Sequence, residues 1–335
     1  MAGVVSPDGP SLPAARGAGG SPPPVPPTSP FVPGPWGRLV PGLFAAITFG
    51  AATPAAKIVT EGIHPAVAAG WLYLASGIAL STVLAVWRPG PSARVGRADL
   101  RWMLASIGIG GVAAPVAFFL GLARAPASVS SLLLGLELPL TVGVAVLLFR
   151  ERLDRWRVLG AALVAAGGVL VVVLSSRKGT EDGGDLLGAL WIGAACLGWA
   201  LDSNLMRFLS HRSPLDVARW KGLGGGVAGL GLAVAFGAEM PGLSARFLLG
   251  GAAVGVVSYG LSLAGYVASV RRLGAARTGM LFGTAPLFGL AASAVFLGEA
   301  LGLSSLGPAA LILAGVALLG IERHPTPPGG GVAGG

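Results

Sequence analysis

Apolar runs near or above 18 residues recur from residue 38 to residue 321, separated by connections mostly shorter than ten residues. A run of that length spans the hydrocarbon of a bilayer as a helix. Helices are the only option for such runs, because each backbone N–H and C=O must find its partner within the segment when no water is at hand. The expected segments lie near 38–58, 65–87, 101–123, 127–149, 156–175, 186–207, 214–237, 245–269, 274–297 and 302–321. Short connections make sequential helices antiparallel neighbours. Composition agrees: 53% of residues are hydrophobic, 11% are charged and the mean hydropathy is +0.77, whereas soluble domains carry about a quarter charged residues. The fold class is therefore an all-α polytopic membrane protein with ten transmembrane helices.

Residues 1–36 are rich in Pro, Gly, Ala and Ser and lack an apolar core, so they read as a disordered tail; 323–335 read the same way. The lone Cys196 excludes a disulfide framework, and the scattered His64, His211 and His324 leave no material for a metal centre or a histidine-based triad. Neither metal nor cofactor is expected. The formal charge of +9 reads as a topology signal, not as a nucleic-acid footprint, because the arginines cluster in loops and no nucleic-acid-binding motif accompanies them.

An internal repeat organises the chain. At an offset of 148, Arg124 falls on Arg272, Glu151 on Glu299, Gly160 on Pro308 and Gly167 on Gly315. At an offset near 150, Phe49-Gly50 falls on Trp199-Ala200 and Lys57 on Arg207. Residues 37–175 and 186–322 are thus two five-helix copies. Because five is odd, the second copy must enter the membrane from the side opposite to the first, which makes the repeats inverted. Placing both termini in the cytoplasm puts 16 Lys and Arg on that side against five on the other, the bias expected of cytoplasmic loops.

Few polar residues interrupt the apolar runs. Glu137 lies near the middle of the fourth segment, where a charge costs roughly 2.5–3.5 kcal/mol, so it is expected to be protonated, paired or facing a wet cavity. It is either a proton or cationic-substrate site or a neutral acid bridging helices. Trp199, Asp202 and Met206 share one face of the sixth segment. Folding the hairpin about residues 210–211 brings Asp202 level with Arg219, which favours an Asp202–Arg219 pair over a substrate role. Lys221, two residues deeper, is expected to snorkel or to bind a carbonyl, with a ligand role as the alternative. Tyr259 and Tyr266 recur at i, i+7 with Ser262 between them, a stripe that suits either stacking against a solute or packing. Trp71 and Tyr73 read as an interfacial belt or packing. Glu151 and Glu299, which end their helices, read as solvated or loop-capping acids. Glycine stretches such as "GIGGVAAP" and "KGLGGGVAGLG" supply small faces for close helix packing. Pro54, Pro115, Pro139 and Pro286 free carbonyls where a path or hinge needs them.

The stretch "LELPLTVGVAVLLFRERLDRWRVLGAALVAAGGVLVV" and its counterpart "GTAPLFGLAASAVFLGEALGLSSLGPAALILAGVALL" resemble the two EamA units of the drug/metabolite transporter superfamily, as does "LGWALDSNLMRFL" at the start of the second copy. In both copies a proline-bearing fourth helix ends in Glu and a Gly-rich fifth follows. Two positions depart from the family pattern. Leu138 separates Glu137 from Pro139, and Gly70 stands where the second helix often has an arginine, which Arg219 keeps in the second copy.

The resemblance implies a permease with a cavity between the repeats, moving amino acids, other metabolites or toxic compounds. The reading is then a secondary transporter of the cell (plasma or inner) membrane, working by alternating access. Glu137, Trp199, Asp202, Arg219, Tyr259 and Tyr266 are its candidate substrate-binding residues. Without an ATP-binding motif, an ion or solute gradient supplies the energy. Its partners are a small solute and the lipid bilayer, with a homodimer left open. An enzyme is not expected; a non-transporting sensor or accessory subunit is the alternative.

Overall fold

The structure, a computed structural model, describes residues 35–86, 94–150, 154–176, 184–238 and 244–319. The tails expected at 1–36 and 323–335 fall outside it, except for Pro35 and Trp36, which already belong to the first helix; Glu151 is also outside. Among the described residues every regular element is helical. Eight helices are long and apolar enough to cross a membrane: α1 (Gly37–Val59), α2 (Pro65–Val86), α3 (Arg97–Leu122), α4 (Ala127–Phe149), α5 (Arg155–Ser175), α6 (Leu186–Leu209), α8 (Ala245–Leu273) and α9 (Arg277–Leu297). Two more helices are found among the described residues. The helix α7 (Pro214–Ala235) is diluted by Asp216, Arg219, Lys221 and its glycines, and α10 (Leu303–Leu319) has 17 residues.

The repeat is written into the backbone. A π-helical turn interrupts α3 at Ile107–Ala113 and α8 at Gly255–Leu261, 148 residues apart at both ends. A tight turn breaks α4 at Leu134–Leu136, and α9 breaks at the equivalent Gly283-Thr284. Pro139 and Pro286, just beyond these breaks, cannot donate to the preceding turn. The two broken helices also stop alike, on a left-handed residue: Arg150 at φ 52° and Gly298 at φ 66°. Glycine adopts that conformation freely and arginine does not.

Equivalent helices pack against each other through glycine. A Cβ on Gly160 would lie 2.8 Å from the Gly315 carbonyl oxygen, and one on Gly167 would lie 3.0 Å from that of Pro308. Gly160 and Pro308 are repeat equivalents, as are Gly167 and Gly315, so the α5–α10 contact is reciprocal and antiparallel. The same reciprocity joins α2 to α7, where Gly77 meets Leu223 and Gly226 meets Leu74. Such self-complementary pairing is what a two-fold relation produces.

One buried apolar cluster joins Leu132, Leu133, Val164, Ile192 and Ile312, and a second joins Leu72, Phe118, Phe119 and Leu122. Side chains such as Leu147, Val227 and Leu249 stay exposed, as the lipid-facing side of a spanning bundle requires.

Candidate functional site

The break in α4 sets the site. Glu137 starts the second half of the helix and faces a chamber of about 330 Å³ bounded by α1, α4, α6, α8 and α9. Phe49, Thr53, Ser131, Thr141, Ser203, Tyr266, Phe282 and Pro286 are among its walls. The Ser203 hydroxyl donates to Glu137 Oε1 at 3.5 Å. A second chamber of about 260 Å³ shares Phe49, Tyr266 and Phe282 with the first and adds Tyr73, Ser76, Lys221, Ser258, Tyr259 and Ser262. The shared rings form a partition. Phe49 and Phe282 have centroids 4.9 Å apart, and Tyr266 meets Phe282 edge-on at 5.2 Å. Tyr259 stands edge-on to Phe49 at 6.1 Å and lies 5.5 Å from Tyr73.

Behind the second chamber lies a buried polar cluster. Asp202 is 4% exposed; its carboxylate accepts from Ser106 Oγ at 2.6 Å and from the Lys221 ammonium. The π-helical turn of α3 admits this arrangement. At Gly110 a Cβ would sit 2.3 Å from Asp202 Cγ, so only glycine lets α3 approach the carboxylate. The turn also exposes a carbonyl. In the π register Ala114 N–H bonds to Ile109, so the next donor in line for Gly110 is residue 115, and that residue is Pro115, which has none. The orphaned Gly110 oxygen accepts instead from Tyr73 OH and from Trp199 Nε1, both at 3.2 Å.

Asp202 is therefore not the partner of Arg219. Arg219 bonds Asp216 one turn earlier on its own helix, at 2.8 Å, which leaves the deeper Lys221 for Asp202. The level-hairpin expectation failed because α6 ends in a 3₁₀ turn, Met206–Leu209. That turn rises about 2.0 Å per residue against 1.5 Å in an α-helix, so residue 202 comes level with a later position on α7. Lys221 accordingly neither snorkels nor binds a carbonyl.

Of the six sequence candidates, Glu137, Tyr259 and Tyr266 line the chambers. Asp202 and Trp199 stand one layer behind, holding Lys221 and the Gly110 carbonyl. Arg219 contributes to neither wall and stacks beside Trp220 at 4.9 Å. Sequence reasoning missed Phe49 and Phe282, and it assigned Tyr73 to an interfacial belt or to packing. The repeat offered a signal for the first of these, since Phe49 is the equivalent of Trp199. Trp71 Nε1 donates to the Leu248 carbonyl at 3.0 Å, a packing role.

Both ends of the α3–α4 turn are tied down. Glu299 follows α9, and its two oxygens accept from Ala127 N and Ser128 N at 2.8 Å each, capping α4. The Lys57 ammonium donates to the Ala125 carbonyl. Among the described residues, no group of three His, Cys, Asp or Glu could hold a metal ion.

Residues 39–173 and 186–321 each match the sequence model of the EamA-like transporter family. A protein of Methanothermobacter thermautotrophicus, called an uncharacterized transporter, is 28% identical over 271 residues, 76% of this chain and 78% of that protein. A crystal structure of a protein at 20% identity is similar with a TM-score of 0.63, covering 84% of this chain and 95% of that one. The last likeness concerns the fold alone.

Proposed function

The chain belongs to the EamA-like transporter family, matched over both halves, and on that premise we propose that it moves small amphipathic metabolites, amino acids or related compounds, across the cell membrane. All ten helices span the bilayer as two inverted five-helix repeats. The charges of α7 are held by Asp202 and Asp216, and α10 reaches about 26 Å, close to the hydrocarbon thickness. The antiparallel pairing of α2 with α7 and of α5 with α10 supports the inversion. The Lys and Arg bias supports cytoplasmic termini.

One observation carries the substrate reading: Glu137 and Lys221 open on adjoining chambers across an aromatic partition, between the repeats. A carboxylate on one side suits an ammonium or another cationic group. The Lys221 ammonium, shared with Asp202, suits a carboxylate. Phe49, Tyr266 and Phe282 suit an apolar side chain between them.

The arrangement supports a mechanism of alternating access. On this topology the first chamber's residues on α6, α8 and α9 lie toward the cytoplasmic ends of those helices, while Glu299 and Lys57 tie the opposite end. Rocking of the repeats then exposes the chambers to each side in turn. A gradient of protons or of the solute drives it, with Glu137 as the exchanging group. Uptake into proteoliposomes tests this, with and without an imposed pH gradient, for wild type and Glu137→Gln. The expected result is a folded variant that has lost gradient-driven uptake. Equal gradient-driven uptake by both proteins would leave Glu137 as a helix bridge. Solute binding without flux in the wild type would make the chain a sensor or accessory subunit.

A further inference from the structure

A long apolar groove runs along the outer face of α3 and α7, sharing no residue with Glu137's chamber and, apart from the α7 backbone it follows, standing clear of the second chamber's walls. Its first section, about 640 Å³, begins at Arg97 and is walled by Leu100, Leu104, Ile107, Trp220 and Val227. Its second section, about 860 Å³, shares Leu104, Ile107 and Ala228 with the first and runs on to Leu120 and Trp191. Missing side chains make the groove: a Cβ on Gly108 or Gly231 would find nothing within 4 Å. The walls face outward, with Leu104 56% and Val227 63% exposed.

In a bilayer such a groove holds either lipid or a helix of a second copy, and charge decides between them. Arg97 lines its mouth, and Arg94 and Arg101, three residues before it and four after it, are exposed as well. The nearby carboxylates are already taken: Asp99 by Arg212 at 2.9 Å, His211 at 3.2 Å and the Gly96 N–H at 2.8 Å, and Asp216 by Arg219 and the Val95 N–H at 2.8 Å each. A second copy related by a two-fold axis along the membrane normal presents the same patch at the same depth. It would set these arginines against their own counterparts. An anionic headgroup neutralises them instead.

We propose that the groove is a binding site for one anionic phospholipid, its phosphate at Arg97 between Arg94 and Arg101 and one acyl chain lying along α3. From Leu100 to Val112 the helix rises about 18 Å, close to the depth of a single leaflet, about half of a ~30 Å core. The occupied stretch contains the π-helical turn, and Ser106, just before the turn, and Gly110 within it stand against Asp202. A chain bound outside therefore bears on the helix that positions the Asp202–Lys221 pair inside.

The test is native mass spectrometry of the full chain, titrated in detergent with phosphatidylglycerol or with phosphatidylcholine of the same acyl chains. Wild type retains one phosphatidylglycerol in clear preference to phosphatidylcholine. In the double variant Arg97→Gln, Arg101→Gln that preference falls about thirtyfold, the factor expected for two surface cations. Gly231→Leu fills the groove and loses both lipids while keeping the arginines. Arg271→Gln, Arg272→Gln, at the end of α8, leaves the preference unchanged. Equal retention of the two lipids by wild type, or a preference that survives the Arg97/Arg101 double variant, overturns the proposal. A lipid-free dimer abolished by Gly231→Leu overturns it too, and assigns the groove to a second copy.

Discussion

Glu299→Gln probes the tie between the repeats on the side away from the chambers. In the wild type, Glu299 belongs to the second repeat and caps a helix of the first, with both oxygens 2.8 Å from backbone donors. Pro126, which precedes those donors, offers no side-chain cap, so the carboxylate is their partner. A hydrogen bond to a charged group contributes about 1.5–3 kcal/mol, and a negative charge at a helix N-terminus about 0.3–1 kcal/mol more. Glutamine keeps one acceptor oxygen and turns an NH₂ group toward the other donor. The loss is therefore one charge-assisted bond and the dipole contribution, about 3 kcal/mol in all. If the tie exists only while this side is closed, the whole of that loss moves the equilibrium toward the open state. The factor is about 150.

Cysteine labelling reads it. Ser131 is buried and lines the first chamber, and the native Cys196 is fully buried. In a Cys196→Ala background, Ser131→Cys should react with an impermeant maleimide applied from the non-cytoplasmic side about two orders of magnitude faster when Glu299→Gln is added. A labelling rate that does not change would refute the reasoning and leave Glu299 as a cap present in both states.

Three further outcomes are expected. Asp202→Asn or Lys221→Met alone strands a buried charge and should lower stability by about 3 kcal/mol in thermal melts, while the two together recover most of it; exchanging the charges of Asp202 and Arg219 should rescue nothing. Gly110→Ala should lower the melting temperature, since its Cβ would meet Asp202 Cγ at 2.3 Å, whereas Gly108→Ala, in open space, should be neutral or slightly stabilising; equal effects would show that α3 does not press on Asp202. Reporter fusions at Asp154 and His211 should report cytoplasm and those at Glu181 and Glu239 the far side, and a cytoplasmic signal at 181 would remove the inverted arrangement.

The helices were legible because hydropathy and length act through solvent, and solvent does not depend on tertiary detail. The run 127–149 is the observed extent of α4, and 214 and 245 are the observed starts of α7 and α8. Glu137 could be picked out for the same reason, as a carboxylate where lipid penalises one. The partner of Asp202 could not. It depended on a four-residue 3₁₀ turn at Met206–Leu209 and on Asp216 claiming Arg219, and both are hydrogen-bonding choices that periodicity does not register. The π-helical turns escaped for the same reason. Pro115 announced a freed carbonyl, but only the π register decides that it is Gly110 rather than Gly111, and hence that Tyr73 and Trp199 converge on it.

The repeat sorts these residues by what they do. The backbone features that recur at an offset of 148 are the π-helical turns, the breaks in α4 and α9 and the left-handed stops at Arg150 and Gly298. They shape the backbone alike in both halves of the chain. Most of the polar groups around the chambers do not recur, Thr53 and Ser203 being the exception. Glu137 faces Ala285 across the repeat, Gly110 faces Ser258, and Lys221, in the register that pairs Gly70 with Arg219, faces Leu72. A scaffold that must present its chambers to either side in turn gains from symmetry, because each half then supplies the same motion in opposite senses. A single bound solute has no two-fold axis, so the groups that hold it gain nothing from being copied. Asymmetric polar residues on a symmetric frame are therefore where selectivity is expected, which places Glu137 and Lys221 ahead of every residue that the repeat duplicates.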